Sequence, residues 1–587
     1  MIHGVTSDLP SFKSLTFSPG LNILLADKSE GATDRQSRNG SGKTSFVELI
    51  HFLFGANADK DSIFRSAALA PWSFEACIDV GPTTVDVARS GAKPSRIRIK
   101  GDPSPWPVQP ALDGKSGELL FSNEHWRSLL GSVFFGLRAE AEDEARPRFR
   151  PTFRSLFSYF ARRQNSGGFL SPTQQSTKQQ PWDQQVSVSY LLGLDANIPQ
   201  QFQVVRTQEK AITELRKIAK EGELGRYFDT AANLRTRLTI AEARARRLSE
   251  QLAVFNVVPE YAELEREASQ ITREISALND ENTIDRELIL QLQEALASEQ
   301  PPPVASLDRL YREASVILPG TVAKRFDEVE RFHQAVVQNR RSHLSAEVGT
   351  AQSRIGERER TRERLDGRRR QLMGILQSGG ALEHYARLQE EAGRAEAEAE
   401  GTRQRLETAE RIESTKAELD IDRAKLLKAL QDDHHERQAI ISEAVLVFEE
   451  LSNALYERAG SLTISATPNG PVVDVRIDAQ RSKGITSMQI FCFDLMLAEL
   501  ATRRGMGPGF LIHDSHLFDG VDERQVAKAL QLGADHAVNV GFQYIVTMNS
   551  DAVPQKLPAG FDLARHYLPI RLTDETEDGG LFGLRFG

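Results

Sequence analysis

At 587 residues, 40% hydrophobic and 26% charged, the chain has material for several cores, and its net charge of −9 excludes a global basic footprint for nucleic acid. Two cysteines, Cys77 and Cys492, exclude a disulfide framework and suit a reducing compartment. The absence of an eighteen-residue apolar run and of a basic-then-apolar N-terminus predicts a cytoplasmic protein without a membrane partner.

In chain order, Met1 to Val5, Phe12 to Phe17 and Leu21 to Ala26 read as short strands, a sheet edge followed by a central strand, with Pro19-Gly20 as the turn before the third. After it comes Ser37-Arg38-Asn39-Gly40-Ser41-Gly42-Lys43-Thr44, and then a run with apolar residues at helical spacing to Phe54. In such a loop backbone N–H groups curl around a phosphate, the lysine neutralises β/γ oxygens and the final hydroxyl sits on Mg²⁺. Ser37 stands where the pattern wants its first glycine, which predicts an altered entry turn. Asp27 to Gln36, carrying Glu30 and Asp34, lengthens the strand-to-loop connection and is expected beside the nucleotide.

Alternation over 74–80 and 84–89 predicts an antiparallel hairpin, and the proline-rich stretch 101–118 a surface loop. Arg146, Arg148, Arg150, Arg154, Arg162 and Arg163 are interleaved with Phe149, Phe153, Phe157, Tyr159 and Phe160. They read either as a nucleic-acid or protomer interface, or as a helix with aromatics in the core and arginines in water. Gln164 follows as a candidate sensor of Mg²⁺ and the γ-phosphate.

Beyond Pro199 a heptad seam runs through Leu234, Leu238, Ala241, Ala245, Leu264, Ala268, Ile271, Ile275 and Asn282, and a second helical stretch spans about Val322 to Val447. The two should fold back on each other, with an apex near 301–321 set by Pro301-Pro302-Pro303 and Pro319-Gly320. Pro259 and Gly379-Gly380 are equidistant from Pro319, which predicts facing breaks and an elbow. Arms of about a hundred residues would reach roughly 130–150 Å. Arg354 to Arg370 is locally basic and reads as a solvated face or as a partner track.

From about Ala459 strand patterns return as a hairpin, 461–466 and 472–477 across Pro468-Asn469-Gly470. Then come Ser482-Lys483-Gly484-Ile485, an apolar helix from about Met488 to Leu500, and the strand Gly509-Phe510-Leu511-Ile512-His513-Asp514. A carboxylate at such a strand tip, beside the phosphate loop, can hold Mg²⁺, so Thr44 and Asp514 are the candidate metal ligands. His513, Asp514 and His516 do not read as a zinc site, because they sit on a strand end and its loop. Asp433-His434-His435 falls on a predicted helix without companion carboxylates.

The order SRNGSGKT, helical hairpin, RSKG, FLIHD and YIVTMN resembles the SMC and RecF-like branch of ABC ATPases. More narrowly, RNGSGKT with FLIHDSHLFDGVDERQ and YLLGLD is similar to a family of SMC-like proteins carried in bacterial ABC-three-component gene clusters, a domain-of-unknown-function family. The resemblance implies an α/β P-loop (ABC-type) ATPase head assembled from an N-terminal lobe (1–200) and a C-terminal lobe (448–587), with a long antiparallel coiled-coil insertion (201–447). It implies ATP and Mg²⁺, held by Arg38, Asn39, Gly40, Ser41, Gly42, Lys43 and Thr44 of one protomer and by Ser482 and Gly484 of a second in a homodimer. Arg481 and Lys483 depart from the family's LSGG pattern. Ser515 occupies the usual catalytic glutamate's place, and Met548 and Asn549 that of the γ-phosphate-sensing histidine. The expected substitutes are His516 and Asp519, or Glu30 or Asp34 from the insert. An ATP-driven clamp engaging DNA or an effector encoded nearby, plausible in phage defence, is then expected. A slow nucleotide-gated switch and a scaffold with a vestigial loop are the alternatives.

Overall fold

A computed structural model describes residues 1–27, 42–114, 116–138, 149–221, 229–255, 259–298, 323–376, 382–456, 460–477, 483–573, 576 and 578–584. Within them the chain divides into two compact units, a head built mainly from Met1–Arg206 and Asp422–Gly587 and an arm mainly from Thr207–Leu310 and Asp327–Ile421.

Among the described residues the head contains two multi-stranded sheets and a separate two-stranded hairpin. The larger is antiparallel: β1 (Ile2–Ser7), β2 (Leu15–Thr16), β4 (Ser73–Val80), β5 (Thr83–Ser90), β6 (Arg96–Lys100), β7 (Ala111–Leu112) and β8 (Leu119–Ser122) lie in the order β2-β1-β4-β5-β6-β8-β7. β4 alternates buried and partly exposed residues, as a strand with one face on the core must. β1 is therefore flanked on both sides, and the edge falls to β2.

The smaller sheet is parallel and joins the two ends of the chain. Its strands are β3 (Gly20–Asp27), β11 (Phe510–His513), β12 (Gln543–Asn549) and β13 (Tyr567–Thr573), in the order β11-β12-β3-β13. β3 is buried along nearly its whole length, which explains its unbroken apolar run. Asn22 fixes the turn before it: its Oδ1 accepts from Ser18 N (2.8 Å) and its Nδ2 donates to the Ser18 and Gly20 carbonyls. Gln543 ties the two sheets together, since Oε1 accepts from Ile2 N (3.0 Å) and Nε2 donates to Ile2 O (2.9 Å).

Helix α1 (Lys43–Leu53) buries Phe46, Val47, Leu49, Ile50, Phe52 and Leu53. α2 (Asn123–Phe135), α3 (Phe153–Phe157) and α4 (Pro181–Leu192) complete the N-terminal part of the head before α5 (Asn197–Glu221). The C-terminal part holds the hairpin β9 (Ser461–Thr467) and β10 (Gly470–Arg476), α11 (Lys483–Arg503) and α12 (Glu523–Val540). α11 is long and apolar enough to cross a membrane by composition, but most of it is buried inside the head.

The arm's described helices are α6 (Ala231–Val254), α7 (Pro259–Ser298), α8 (Ala323–Leu376) and part of α9 (Leu382–Glu436). Ala231 and Leu234 pack on Leu406 and Ala409, while Ala268, Ile271 and Ile275 pack on Leu372, so residue numbers rise along one strand of the coil as they fall along the other. Just past the end of α6 the Phe255 ring lies 6.2 Å from His384 and 5.5 Å from Tyr385 at the start of α9, while residues 256–258 and 377–381 lie outside the described residues. Residues 422–447, expected in the arm, group with the head instead. There α10 (Gln438–Tyr456) buries Ala444, Val447, Phe448, Leu451 and Leu455, an apolar face too wide for a two-helix seam. The apex, 301–321, lies outside the described residues.

Half of the arm's basic run engages the facing helix, while Arg369 and Arg370 pair with Asp366 on their own helix. Arg354 and Arg358 both engage Asp285, Arg368 engages Glu267 (2.7 Å), and Arg362 donates to Asn279.

Candidate functional site

Three parallel strands end side by side at the candidate site. The loop residues Ser37 to Ser41, and with them Arg38, Asn39, Gly40 and Ser41, lie outside the described residues, as do Glu30 and Asp34. Gly42, the residue before α1, has φ 87°, and a Cβ there would stand 2.9 Å from Leu581, so only glycine fits. Lys43 opens the helix almost fully buried, and its Nζ donates to Asn549 Oδ1 at the end of β12.

Asp514 was expected at a strand tip beside the phosphate loop, with no strand order assigned. One strand intervenes: β12 runs between β3 and the aspartate's strand β11, with Val546 opposite Ile23 on one side and His513 on the other. That strand links the two motifs chemically. Thr547 Oγ1 donates to Asp514 Oδ1 (3.3 Å) and accepts from Ser515 N (3.2 Å), while Ser515 Oγ donates to the same carboxylate oxygen (3.0 Å). Asp514 is 1% exposed, yet its Oδ2 has no partner. A buried carboxylate oxygen left unsatisfied is what a Mg²⁺ ligand, direct or through water, looks like without its ion, so the residues present fit the group.

Gln164 stands between the phosphate-loop helix and the loop after β11. Its Oε1 lies 3.4 Å from Thr44 Oγ1, and its Nε2 lies 3.4 Å from His516 Nδ1. Asp519 Oδ2 lies 2.8 Å from the same His516 nitrogen, and Lys483 Nζ approaches Asp519 at 3.8 Å. With the carboxylate accepting from Nδ1–H, a neutral His516 carries its lone pair on Nε2 and can take a proton there. Ser515 is turned to Asp514 and serves its orientation. Gly484 is tightly packed within its own chain, since a Cβ there would meet Gly520 O at 2.6 Å. Ser482 lies outside the described residues.

Behind this row sits a fully buried ionic network. Arg162 and Asp494 are both 0% exposed, joined through Nε–Oδ2 (2.6 Å) and Nη2–Oδ1 (2.7 Å). The remaining guanidinium donors reach the carbonyls of Gly168, Ser171, Pro172 and Gln174, which holds the turn carrying Gln164. On the other side His513 Nε2 lies 3.3 Å from Asp494 Oδ2 and its Nδ1 lies 3.0 Å from the Tyr544 hydroxyl. Burial pushes His513 below the ordinary histidine range against the pull of Asp494, so it is neutral, with Nε2–H donating. His513 thus turns into the buried network while His516 stands partly exposed, and among the described residues no three His, Cys, Asp or Glu side chains converge on a metal.

The arginine-aromatic stretch is mostly interior. Phe153, Phe157, Tyr159 and Phe160 are buried, Arg163 pairs with Glu48 on α1, and Arg154 donates to His51 Nδ1 (2.7 Å). The aromatics thus lie in the core, as the second reading had them, but Arg154, Arg162 and Arg163 are engaged inside the head and not in water; Arg146 and Arg148 lie outside the described residues. Asp433 Oδ2 accepts from Asp195 N (3.2 Å) and pairs with Arg437, a structural use of that triplet.

Sequence reasoning passed over Thr547, Arg162 and Asp494 as site-forming residues. Asp494 had a legible signal, an acid in the middle of an apolar helix. Thr547 had none beyond its place in a strand.

Residues 451–586 match a family described as an uncharacterised protein conserved in bacteria (DUF2326), and residues 287–413 match C-terminal domain 10 of the ABC-three component (ABC-3C) systems. The YydD protein of Bacillus subtilis (strain 168) is 22% identical over 570 residues, covering 91% of this chain and 90% of its own. Among solved structures, the Smc head domain with a coiled coil and joint from Pyrococcus yayanosii is 11% identical over 99% of this chain and 96% of its own, with a TM-score of 0.35. The RecF recombination mediator of the RecFOR pathway is 9% identical over 97% of each chain, with a TM-score of 0.29. The two family matches agree with the ABC-three-component resemblance of the sequence motifs.

Proposed function

We propose that the chain is an SMC-like ATPase whose heads pair around ATP as a homodimer and whose cycle engages DNA or a partner effector of an ABC-three-component system, in a defence role. The observation that carries this is the convergence of Lys43, Thr44, Gln164, Asp514 and His516 at one end of a parallel sheet built from both chain ends.

In this reading Lys43, steadied by Asn549, neutralises the β/γ oxygens, and Thr44 and Asp514 hold Mg²⁺. The ion when bound supplies charge neutralisation on the phosphate oxygens. Gln164 reports on the occupied site, His516 Nε2 takes the proton of the attacking water, and Asp519 orients the imidazole and stabilises its charged form. Ser482 and Gly484 would face the nucleotide of the second protomer.

ATP turnover of the purified chain, with and without DNA, tests this. Lys43→Ala is expected to abolish binding. His516→Ala should lower kcat about a hundredfold or more while leaving ATP affinity nearly unchanged. Unchanged turnover in His516→Ala removes the assigned base, and failure of the native chain to bind ATP removes the whole reading.

The serine in place of a glutamate favours a second reading, a switch set by occupancy. ATP-dependent dimerisation measured by light scattering, without turnover, would select it.

A further inference from the structure

Two hydroxyls close off one side of Asp514. Ser515 Oγ donates to Oδ1 (3.0 Å) and Thr547 Oγ1 donates to the same oxygen (3.3 Å), while Ser515 N donates to Thr547 Oγ1 (3.2 Å). Strand register puts the three residues together: β12 runs beside β11 with Val546 opposite His513, which sets Thr547 level with Asp514.

Chemistry fixes the direction of each bond. An ionised carboxylate only accepts, so both hydroxyl protons lie toward Oδ1, and the Thr547 oxygen is left to accept from the backbone N–H. Thr547 is 0% exposed, so solvent cannot draw its proton elsewhere. Each oxygen of a carboxylate has about two acceptor positions, and those of Oδ1 are filled. Oδ2, buried and unpartnered, is the one oxygen left to meet an ion or a water of its shell.

A carboxylate confined in this way discriminates between cations. Ca²⁺ gathers roughly six to eight oxygens in a flexible set and takes both oxygens of one carboxylate, whereas Mg²⁺ demands a near-octahedral set and keeps several waters. A single presented oxygen suits the second and denies the first its bidentate grip.

We propose that Thr547 and Ser515 are specificity-determining residues of the ion site: by filling Oδ1 they hold Asp514 to one oxygen and select Mg²⁺ over Ca²⁺. This rests on the ATP reading of the site, and it gives Ser515, which cannot serve as a base, a task of its own.

The test is calorimetry of AMP-PNP binding to the full chain with Mg²⁺ or with Ca²⁺ as the divalent ion, a readout that needs no turnover. The nucleotide's own preference between the ions is the same for every variant and cancels. In Ser515→Ala with Thr547→Val the ratio of the Ca²⁺ to the Mg²⁺ dissociation constant should fall about fivefold, with each single change in between. Thr547→Ser keeps the hydroxyl and loses only the methyl group, so it should retain the native ratio; a residue that merely packs would tolerate valine better than serine and leave the ratio unmoved in both. An unchanged ratio in the double variant, with nucleotide binding by the native chain intact, overturns this assignment and leaves the ATP reading standing. No nucleotide binding by the native chain with either ion overturns both. Should the double variant melt well below the native chain, Ser515→Ala alone, at a half-buried position, carries the comparison, and an unchanged ratio there overturns the assignment equally.

Discussion

Arg162→Met strands a charge at a place where water cannot reach it. Asp494, 0% exposed, keeps only the His513 contact at 3.3 Å, and the carbonyls of Gly168, Ser171, Pro172 and Gln174 lose their shared donor. Removing one partner of a buried pair costs about 3–5 kcal/mol, and the orphaned carbonyls place this case at the upper end. For a unit of this size each kcal/mol moves the melting temperature by about 2 °C, so a fall of roughly 8–10 °C is expected. Adding Asp494→Asn removes the stranded charge while its amide oxygen still accepts from His513, and should recover about half, because the carbonyls stay unpaired. Thermal melts of both single variants and the double variant, at one scan rate, give the coupling. A shift below about 2 °C for Arg162→Met, or no recovery in the double variant, would refute the view that this pair anchors the Gln164 turn to the Asp514 strand.

Three further outcomes are expected. Gly484→Ala should destabilise the head by about 2 kcal/mol or more, seen in the same melts, because its Cβ would meet a backbone oxygen, Gly520 O, at 2.6 Å and cannot be relieved by a side-chain rotation. Asn282 is 1% exposed with both amide atoms unpartnered, so Asn282→Leu should stabilise the helical signal by about 1–2 kcal/mol, with loosened register as the cost. Burial raises the Glu265 carboxyl to about 7, and its Oε1 has no partner. Its folded pKa thus lies above the unfolded one, so its stabilising contribution is complete below the ordinary glutamate range and is lost as pH rises through about 7. Helical melts should therefore be higher at acidic pH than at pH 8, and Glu265→Gln should flatten that difference.

Much of the architecture was legible because it rests on local periodicity. The strand of unbroken apolar residues before the phosphate loop, the alternating hairpin of β4 and β5, the hairpin across Asn469-Gly470 and the heptads of α6 and α7 each carry their pattern within a dozen residues. The arginine-aromatic stretch shows the limit. Both earlier readings put its arginines at the surface, and neither could see that Asp494, more than three hundred residues on, waits in the core for Arg162.

The chain itself determined which groups are on offer: a lysine and threonine after a glycine turn, an aspartate at a strand tip, a histidine and aspartate just beyond it, and helical arms between. Only the tertiary structure decided how they meet. It put β12 between β3 and β11, gave Lys43 to Asn549 and left one oxygen of Asp514 unpartnered. Strand order in a parallel sheet is set by how distant segments share a core, and the pattern within any one of those segments is the same whichever neighbour it takes.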